Sequence, residues 1–505
     1  MRRFLAAALG ATLLVLPACG NKTDETARAA GITPASALAM FSVNLSPSIE
    51  QKRNMLSIAR RFPDASDKVK GEFESARDDL LASLFEDTGL DYKKDIEPWL
   101  GKEAAAAVLP PGDADAPLIV AMVQTEDEAK AKAAIAKATK AGDFEGAYAI
   151  VDDYVVISAQ DDPADNQPAL DQIVAQGKKD EGSLADTPSF TKVVGELHGD
   201  RLVLGWFDSQ KALDLAGDVG ALAGADFLKQ FGAGAIAFDL HAESKAVVLQ
   251  GVAAVASNGS SGSEPALTRA LPASTLAALT LFDIAGSATK GLESLGGVGG
   301  GDIVGDLEQA TGIDLGDDVL SWMGGEAVVV VGAVPEGQEF PAFALVVEPT
   351  DKAKAAAGID KVRQQLAANQ FRLDERTVAG ATAYVLPQPV RDGIQPAMAL
   401  FPDRFVLASS PAYLEELGKA STPSLGSNDT YTDVVGDDGK GTMAQFVVLI
   451  DPVREAIENV VLNAGADRES YEKDTKPNLE PLSAFGVKVH RDGGFNRFEV
   501  KLTLD

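Results

Sequence analysis

The chain has 505 residues, of which 46% are hydrophobic, and it carries a formal net charge of -30. This length exceeds what one compact core accommodates, so we expect two or more domains. The hydrophobic content is typical of a globular protein and not of a disordered one. So acidic a surface repels phosphate backbones and anionic lipid headgroups, which disfavours nucleic-acid binding.

The N-terminus has the pattern of an export signal. Two arginines precede an apolar stretch, 4–16, that has signal-peptide length and is too short to span a bilayer. The sequence LPAC at 16–19 follows and resembles a bacterial lipobox, in which the cysteine is diacylated. Cys19 is the only cysteine in the chain, and an unpaired cysteine in an exported protein needs an explanation.

We therefore predict a lipoprotein signal peptide at 1–18, lipidation of Cys19 and a flexible tether at 19–32. This places the protein outside the cytoplasm, in the cell envelope, with a membrane as partner through Cys19. An ordinary cleaved signal and an uncleaved anchor are the alternatives.

One motif of seventeen residues occurs twice. Residues 88–104 read TGLDYKKDIEPWLGKEA and residues 311–327 read TGIDLGDDVLSWMGGEA, with eight of seventeen positions identical. Random pairing would give roughly one identity. Self-similarity at a long period indicates a duplicated unit.

The start of the motif predicts a helix end followed by a new short helix. Gly89 suits the left-handed residue that ends a helix. Asp95 is a candidate cap for the short helix, with Pro98 in its first turn.

The end of the motif predicts a turn into a strand. Trp99 and Trp322 supply large apolar side chains just before glycine turns at Gly101 and Gly324. These four residues form either a structural corner with a buried tryptophan or a paired ligand site. The structural motif is favoured because no cluster of titratable groups accompanies either tryptophan.

The correspondence between the two halves extends beyond the motif. Each half opens with Pro-Ala-Ser and a strand, and it continues after the motif with strands, a helix and hairpins. The predicted pairs are openings at 33–36 and 271–274, strands at 38–45 and 276–284, strands at 117–125 and 341–349, helices at 127–137 and 351–361, hairpins at 146–159 and 380–409, strands at 202–208 and 445–451, and final hairpins at 235–254 and 485–504.

The mature chain is therefore predicted to contain two repeat units, 33–256 and 270–505, joined by a Gly/Ser-rich linker at 257–269. The frequent hairpins favour an α+β unit with a mostly antiparallel sheet and helices packed on one face. A doubly wound parallel sheet is the alternative.

The lipobox, the Pro-Ala-Ser opening and the D-x-x-x-W-[LM]-G-x-E-A corner together resemble the bacterial exported-protein family called domain of unknown function 3352. The resemblance covers essentially the whole mature chain. It implies the architecture described above, and it adds no established activity and no catalytic residue.

The three histidines do not indicate catalysis or metal binding. His241 and His490 fall near the turns of the two final hairpins, where we expect solvated side chains, and His198 lies elsewhere. Neither an HExxH nor a GxSxG motif occurs, and no histidine or cysteine lies close to another in sequence. We predict no catalytic residue, no metal and no cofactor.

Two further patterns favour loops over sites. The glycine run at 296–301 lacks the GK[ST] ending of a phosphate loop. The acidic clusters at 161–166 and 437–439 lack the spacing of an EF-hand and are typical of solvated turns.

Three functional hypotheses follow. The first is a non-catalytic binding module, in which an apolar ligand such as a lipid lies against the sheet. The second is a structural or interaction protein that engages another envelope protein. The third, a hydrolase, would require Ser, His and Asp to converge in one cleft, and His198 is its best candidate.

Overall fold

The computed structural model describes most of the chain after residue 26. The described residues are 27–63, 65, 78, 81–82, 90–112, 114, 116–142, 144, 146–211, 234–254, 262–282, 312–335, 338, 340–390, 393–419, 422–436, 439–463 and 468–505. The predicted signal peptide, Cys19 and the glycine run at 296–301 lie outside them. The chain divides into two compact units, Met1–Asn258 with Asp492–Glu499, and Gly259–Arg491 with Val500–Asp505.

The first unit contains an antiparallel sheet. Its strands are β1 (Ala39–Asn44), β2 (Leu100–Leu109), β3 (Leu118–Thr125), β4 (Ala147–Val151), β5 (Tyr154–Ser158), β6 (Val203–Asp208), β7 (Ala235–Glu243) and β8 (Ala246–Ala254). They pair in the order β4-β5-β3-β2-β1-β6-β7-β8, and every pair is antiparallel.

The second unit also contains an antiparallel sheet. Its strands are β9 (Ala277–Phe282), β10 (Glu326–Val331), β11 (Phe343–Val347), β12 (Asp374–Val378), β13 (Ala381–Val385), β14 (Ala397–Leu400), β15 (Phe405–Ala408), β16 (Thr442–Leu449), β17 (Leu482–Asp492) and β18 (Phe495–Leu504). The order is β12-β13-β14-β15-β11-β10-β9-β16-β17, again antiparallel throughout. β18 is divided between the two units.

The predicted α+β class and antiparallel sheet are confirmed, and the parallel alternative is wrong. The two strand orders agree, except that the second unit has an additional hairpin, β12–β13, at its edge. The sequence prediction missed β12, and it paired the segment at 380–386 directly with 397–409 as one hairpin.

The helices of the described residues are mostly short. They are α1 (Ile49–Ala59), α2 (Glu128–Ala141), α3 (Asn166–Gln176), α4 (Pro188–Val194), α5 (Ala266–Arg269), α6 (Lys352–Ala368), α7 (Pro411–Gly418), α8 (Asp429–Val435), α9 (Ile450–Asn463), α10 (Arg468–Ser470) and α11 (Lys476–Leu479). Single 3-10 or π turns lie at Arg28–Gly31, Tyr92–Ile96, Pro163–Asp165, Leu184–Asp186, Leu315–Val319, Leu320–Trp322, Leu425–Ser427 and Tyr471–Thr475.

Helices pack on both faces of the sheet, so the prediction of helices on one face is wrong. In the first unit Ile173 of α3 shares a core with Val156 of β5. The next residue of β5, Val155, points to the other face and packs with Ile135 of α2. The second unit has the same division into two cores. The strands allow this because they are apolar at successive positions and not only at alternate ones.

Two segments that were predicted to be flexible belong to the fold where they are described. At the end of the predicted tether, Ala29 and Ala30 are completely buried in the turn Arg28–Gly31. At the end of the predicted linker, Ser263 pairs with Thr442 and leads into α5. The composition that suggested flexibility therefore extends into ordered structure, at residues 27–32 and at residues 262–269.

Candidate functional site

The strands of the second unit present a row of apolar side chains on one face of the sheet. Side chains alternate between the two faces of a strand, so residues opposite each other on neighbouring strands share a face. The register places in one row, across five strands, Phe446, Leu279, Val329, Leu345 and Leu407.

Four large side chains on this side of the sheet are open to solvent. Leu279 is 37% exposed, Val329 47%, Phe343 46% and Leu407 41%. Phe343 belongs to the neighbouring row, where it lies opposite Val331. We call Leu279, Val329, Phe343 and Leu407 the apolar face. Clustered apolar exposure of this kind marks binding surfaces on soluble proteins.

The apolar face ends where α6 covers the sheet. Val347 and Phe405 lie on the same side of the sheet but are buried, because they pack with Trp322 and Ile359. Among the described residues, the exposed apolar side chains on this side of the sheet therefore lie where α6 does not cover it.

The apolar face offers a bound group hydrophobic contacts. Its four side chains carry no charge and no hydrogen-bonding group, so they supply neither an acid nor a base. They stabilise a bound group by removing apolar area from water, at about 25 cal/mol per Å². An acyl chain and an apolar protein surface both meet this requirement.

The first unit fills the corresponding row with small residues and paired rings. Gly205 lies between Phe41 and Phe238, whose ring centroids are 5.9 Å apart. A Cβ atom at Gly205 would lie 2.2 Å from the ring of Phe238, so the glycine makes room for that ring. The row continues through Ala106 and Ala121. Bulky exposed side chains like those of the apolar face do not occur at these positions.

The two motif tryptophans are buried in helix-turn-strand corners. Trp99 is 6% exposed and Trp322 is 3% exposed. The indole N–H of Trp99 donates to the carbonyl of Asp95 over 2.6 Å, and that of Trp322 donates to the carbonyl of Asp318 over 2.9 Å. Both tryptophans are thus hydrogen-bonded and packed within their own corners.

The motif glycines lie in close packing after the corner. A Cβ atom at Gly101 would lie 2.9 Å from Gln124, and one at Gly324 would lie 3.2 Å from the methyl group of Thr350. Each glycine therefore lets the chain turn closely past the next strand or loop.

The aspartates of the motif cap the short helices differently from the prediction. Asp91 accepts a hydrogen bond from the backbone N–H of Lys94, so Asp91, and not Asp95, is the N-cap. The carboxylate of Asp95 accepts from the side chain of Lys137 and, over 2.8 Å, from the backbone N–H of Asp91. The bond from Lys137 lowers the pKa of Asp95 most, and the bond from Asp91 adds to this. Pro98 follows the helix and does not lie in its first turn.

The glutamate of the motif is a buried carboxylate in both units. Glu103 is completely buried and accepts from the hydroxyl of Ser42 over 2.6 Å, from the backbone N–H of Ala29 over 3.1 Å, and from the hydroxyl of Tyr154. Burial raises the pKa of Glu103 to about 7, although these hydrogen bonds act to lower it.

Glu326 holds the corresponding segment of the second unit. Its carboxylate accepts from the backbone N–H groups of Leu267 and Thr268 over 2.7 and 2.8 Å, and from the hydroxyl of Thr268 over 2.7 Å. Burial raises the pKa of Glu326 as well. In both units the motif glutamate thus binds a helical turn that precedes the first strand. The sequence contained a signal for this, since the glutamate is identical in both copies of the motif.

His241 lies in a buried polar cluster and not in a solvated turn, so that prediction is wrong. The turn falls at residues 244–245, and His241 is still within β7. Its Nδ1 lies 2.7 Å from the buried carboxylate of Asp239, which also accepts from Gln250 and from the backbone N–H of His198. The rings of His198 and His241 are stacked with centroids 4.3 Å apart. His490 is partly buried within β17, ahead of its turn.

Within the described residues, the exposed His198 is not hydrogen-bonded to the nearby Ser48. The hydroxyl of Ser48 donates to the carboxylate of Asp200 over 2.5 Å. The Nδ1 atom of His198 lies 2.9 Å from the backbone carbonyl of that same aspartate. In a catalytic triad the serine hydroxyl donates to the imidazole, and the imidazole contacts the aspartate. Here the serine hydroxyl donates to the aspartate directly.

The acidic cluster at 161–166 forms a turn, as predicted. Asp162 caps the turn that begins at Pro163, and Asn166 accepts from the backbone N–H of Gln160. Within the described residues, no group of three or more His, Cys, Asp or Glu side chains is arranged to hold a metal ion. The described helices include none that is both long and apolar enough to cross a bilayer.

Comparison with protein families gives a match over nearly the entire chain. The family is described as a protein of unknown function (DUF3352), and the match covers residues 4–504. The chain belongs to this family. The resemblance inferred from the motifs is therefore confirmed, and membership adds no activity. Comparisons with curated proteins and with solved structures gave no match.

Proposed function

We propose that this protein is a non-catalytic binding module of the cell envelope, anchored to a membrane through lipidated Cys19, and that it holds an apolar ligand against its second unit. The exposed apolar face is the observation that carries the proposal. Its members lie side by side in the sheet register, so a ligand would contact them together. The anchor is supported by the LPAC sequence at 16–19.

The proposal includes a duplication, in which the two units are tandem copies of one ancestral unit. Three observations support it: the agreement of the strand orders, the buried glutamates Glu103 and Glu326, and the indole hydrogen bonds of Trp99 and Trp322. On this view the second copy has acquired the bulky exposed side chains, and the first has kept a compact sheet surface.

The test uses a fluorescent fatty acid, cis-parinaric acid, and the soluble chain 20–505. Val329→Lys places a charge in the middle of the apolar face, where a bound acyl chain would have to desolvate it. We expect saturable fluorescence enhancement with the unchanged chain, and affinity at least tenfold weaker with Val329→Lys, which corresponds to about 1.4 kcal/mol.

The matched control is Val390→Lys. Val390 is 64% exposed and lies outside the apolar face, so the same substitution there should leave the affinity unchanged. Equal effects of the two substitutions, or no saturable signal from the unchanged chain, would overturn the proposal. If the unchanged chain binds the probe and Val329→Lys weakens binding, native mass spectrometry after incubation with envelope lipid extract identifies the ligand class.

A protein partner is the second candidate, and the shape of the site favours it. The apolar face is an open sheet surface, whereas ligand sites for small molecules are concave. A photo-crosslinking amino acid in place of Val329 distinguishes the two in cells. Crosslinks to lipid support the binding module, and crosslinks to one envelope protein support the interaction protein.

A further inference from the structure

Strand β4 is the edge of the first sheet within the part of the chain that the structure describes, where it pairs with β5 and with no second strand. Its inner face is occupied, because Val151 is buried in the core that also contains Val156. On the other side the ring of Tyr148 lies 6.4 Å from that of Phe144 and is 40% exposed. What remains open is the line of backbone groups along the edge.

The hairpin geometry identifies which backbone groups face outward. β4 and β5 are joined by a two-residue turn in which Asp152 has a positive φ of 51°. Such a turn is closed by a hydrogen-bonded pair, here Val151 and Tyr154, and hydrogen-bonded pairs alternate along the ladder. The N–H and C=O groups of Tyr148 and Ile150 therefore point away from β5.

The second unit shows how such an edge is completed. There the hairpin β14–β15 stands in the place of β4–β5, because β15 pairs with β11 as β5 pairs with β3. The outer edge of β14 carries β13, with Ala383 opposite Ala399 and Val385 opposite Ala397. Ala383 and Val385 are completely buried in the core.

The alternate side chain of β13 packs on the other face. The ring of Tyr384 lies under the guanidinium of Arg363 of α6, 5.1 Å from its centroid. An added strand at this position thus has small or β-branched residues facing the core and an aromatic residue beneath the helix.

We propose that the edge of β4 is a docking site for one extended segment of a partner protein, which pairs antiparallel with Tyr148 and Ile150. The segment has small or β-branched residues at the alternate positions that face the core, as β13 does. Its N-terminal end carries lysine or arginine, because an antiparallel strand begins beside the exposed Asp152. The neighbouring Asp153 already pairs with Arg28 over 3.1 Å, so the charge argument rests on Asp152.

A second copy of this chain is a poorer occupant. Pairing two β4 edges would bring together two chains that each carry a net charge of -30. It would also provide no basic group for Asp152. The proposal does not depend on the apolar ligand, since it concerns the other unit and rests on the strand orders.

The test uses a fluorescein-labelled peptide with the sequence of residues 380–386, GATAYVL, preceded by two lysines. Anisotropy measures its binding to the soluble chain 20–505. Tyr148→Pro removes one outward N–H, and proline is tolerated at an edge position whose N–H is not used by the neighbouring strand. Tyr148→Ala removes the ring but keeps the N–H.

We expect saturable binding to the unchanged chain, at least tenfold weaker binding to Tyr148→Pro and less than about threefold weaker binding to Tyr148→Ala. A peptide with two glutamates in place of the lysines should bind more weakly than the lysine peptide. Melting curves for both variants confirm that the fold is kept, since a substitution at an edge should shift them little.

Hydrogen exchange provides an independent measurement. The peptide should protect the amides of Tyr148 and Ile150 and leave those of Ala149 and Val151, which already bond to β5, unchanged. Absence of saturable binding, or equal loss with both Tyr148 variants, would overturn the proposal. So would concentration-dependent dimerisation that Tyr148→Pro abolishes, because the edge would then pair with a second copy.

Discussion

At the scale of single residues, the buried glutamates of the motif are the most unusual feature of the molecule. A completely buried carboxylate is costly unless its oxygens are hydrogen-bonded. Here Glu103 accepts from the backbone N–H of Ala29, and Glu326 accepts from that of Thr268. In each unit the motif glutamate, Glu103 or Glu326, lies on the second strand in sequence. It therefore links that strand to the helical turn that precedes the first strand.

The raised pKa of Glu103 predicts that the first unit loses stability as the pH rises. The folded protein holds this proton up to about pH 7, whereas the unfolded chain releases it near the ordinary value of 4.5. Between these values the folded state binds more protons, so the free energy of unfolding falls with increasing pH. The pKa difference corresponds to a loss of roughly 3 kcal/mol across this window.

Urea unfolding of the unchanged chain and of Glu103→Gln, at about pH 5 and about pH 8, measures this loss. The glutamine cannot ionise, so the variant should lack this component of the pH dependence. Glu97→Gln is the control, because the Glu97 side chain is 40% exposed and its removal should leave the difference between the two pH values unchanged. If Glu103→Gln shows the same pH dependence as the unchanged chain, Glu103 is not the group responsible.

At the scale of elements, the turn Arg28–Gly31 is an integral part of the first unit. It buries Ala29 and Ala30, and the following Ile32 is only 4% exposed. It also supplies the backbone N–H that Glu103 accepts. Its loss would remove apolar contacts and one hydrogen bond of a buried carboxylate at the same time.

We therefore expect a chain that begins at Thr33 to be less stable than one that begins at Ala27. The loss should be roughly 3 kcal/mol or more, from the burial of one isoleucine and an unsatisfied carboxylate. Calorimetry of the two chains tests this, with the transition of the second unit as the internal reference. Identical melting of the first unit in both chains would show that the turn is dispensable, as a tether would be.

The sequence predicted those elements whose signal is local. Apolar runs located the strands at 118–125 and 343–347, and Asp127 and Asp351 correctly marked the starts of α2 and α6. Hairpin signals located the final strands of each unit.

What the sequence did not predict depends on contacts between distant segments. The strand β12 has the sequence DERTV and is exposed at four of five positions, so it lacks the alternation that identifies a strand. The turn at 28–31 is held by Glu103, and His241 stacks on the ring of His198. Both partners lie far away along the chain. The sequence also did not predict the exposure of the apolar face. The run of valines before Gly332 is typical of a strand that is buried on both sides.

At the scale of the whole molecule, the proposed anchor determines where the first unit works. A chain lipidated at Cys19 has only the residues up to 26 before its described fold begins. Eight residues span at most about 28 Å when fully extended. The first unit would therefore operate close to the membrane surface, within reach of lipids and of other envelope proteins.

Cys19→Ser tests this arrangement and separates the three interpretations of the N-terminus. Two acyl chains suffice for stable anchoring, and Cys19 is the only residue that the lipobox pattern allows to carry them. We expect the unchanged protein to incorporate labelled palmitate and to sediment with membranes after a carbonate wash. The serine variant should lose the label and should no longer sediment as the processed lipoprotein. If both forms are released, the signal is an ordinary cleaved one. If both sediment unlabelled at full length, residues 1–18 are an uncleaved anchor, and the tether begins at a membrane-bound peptide and not at a lipid.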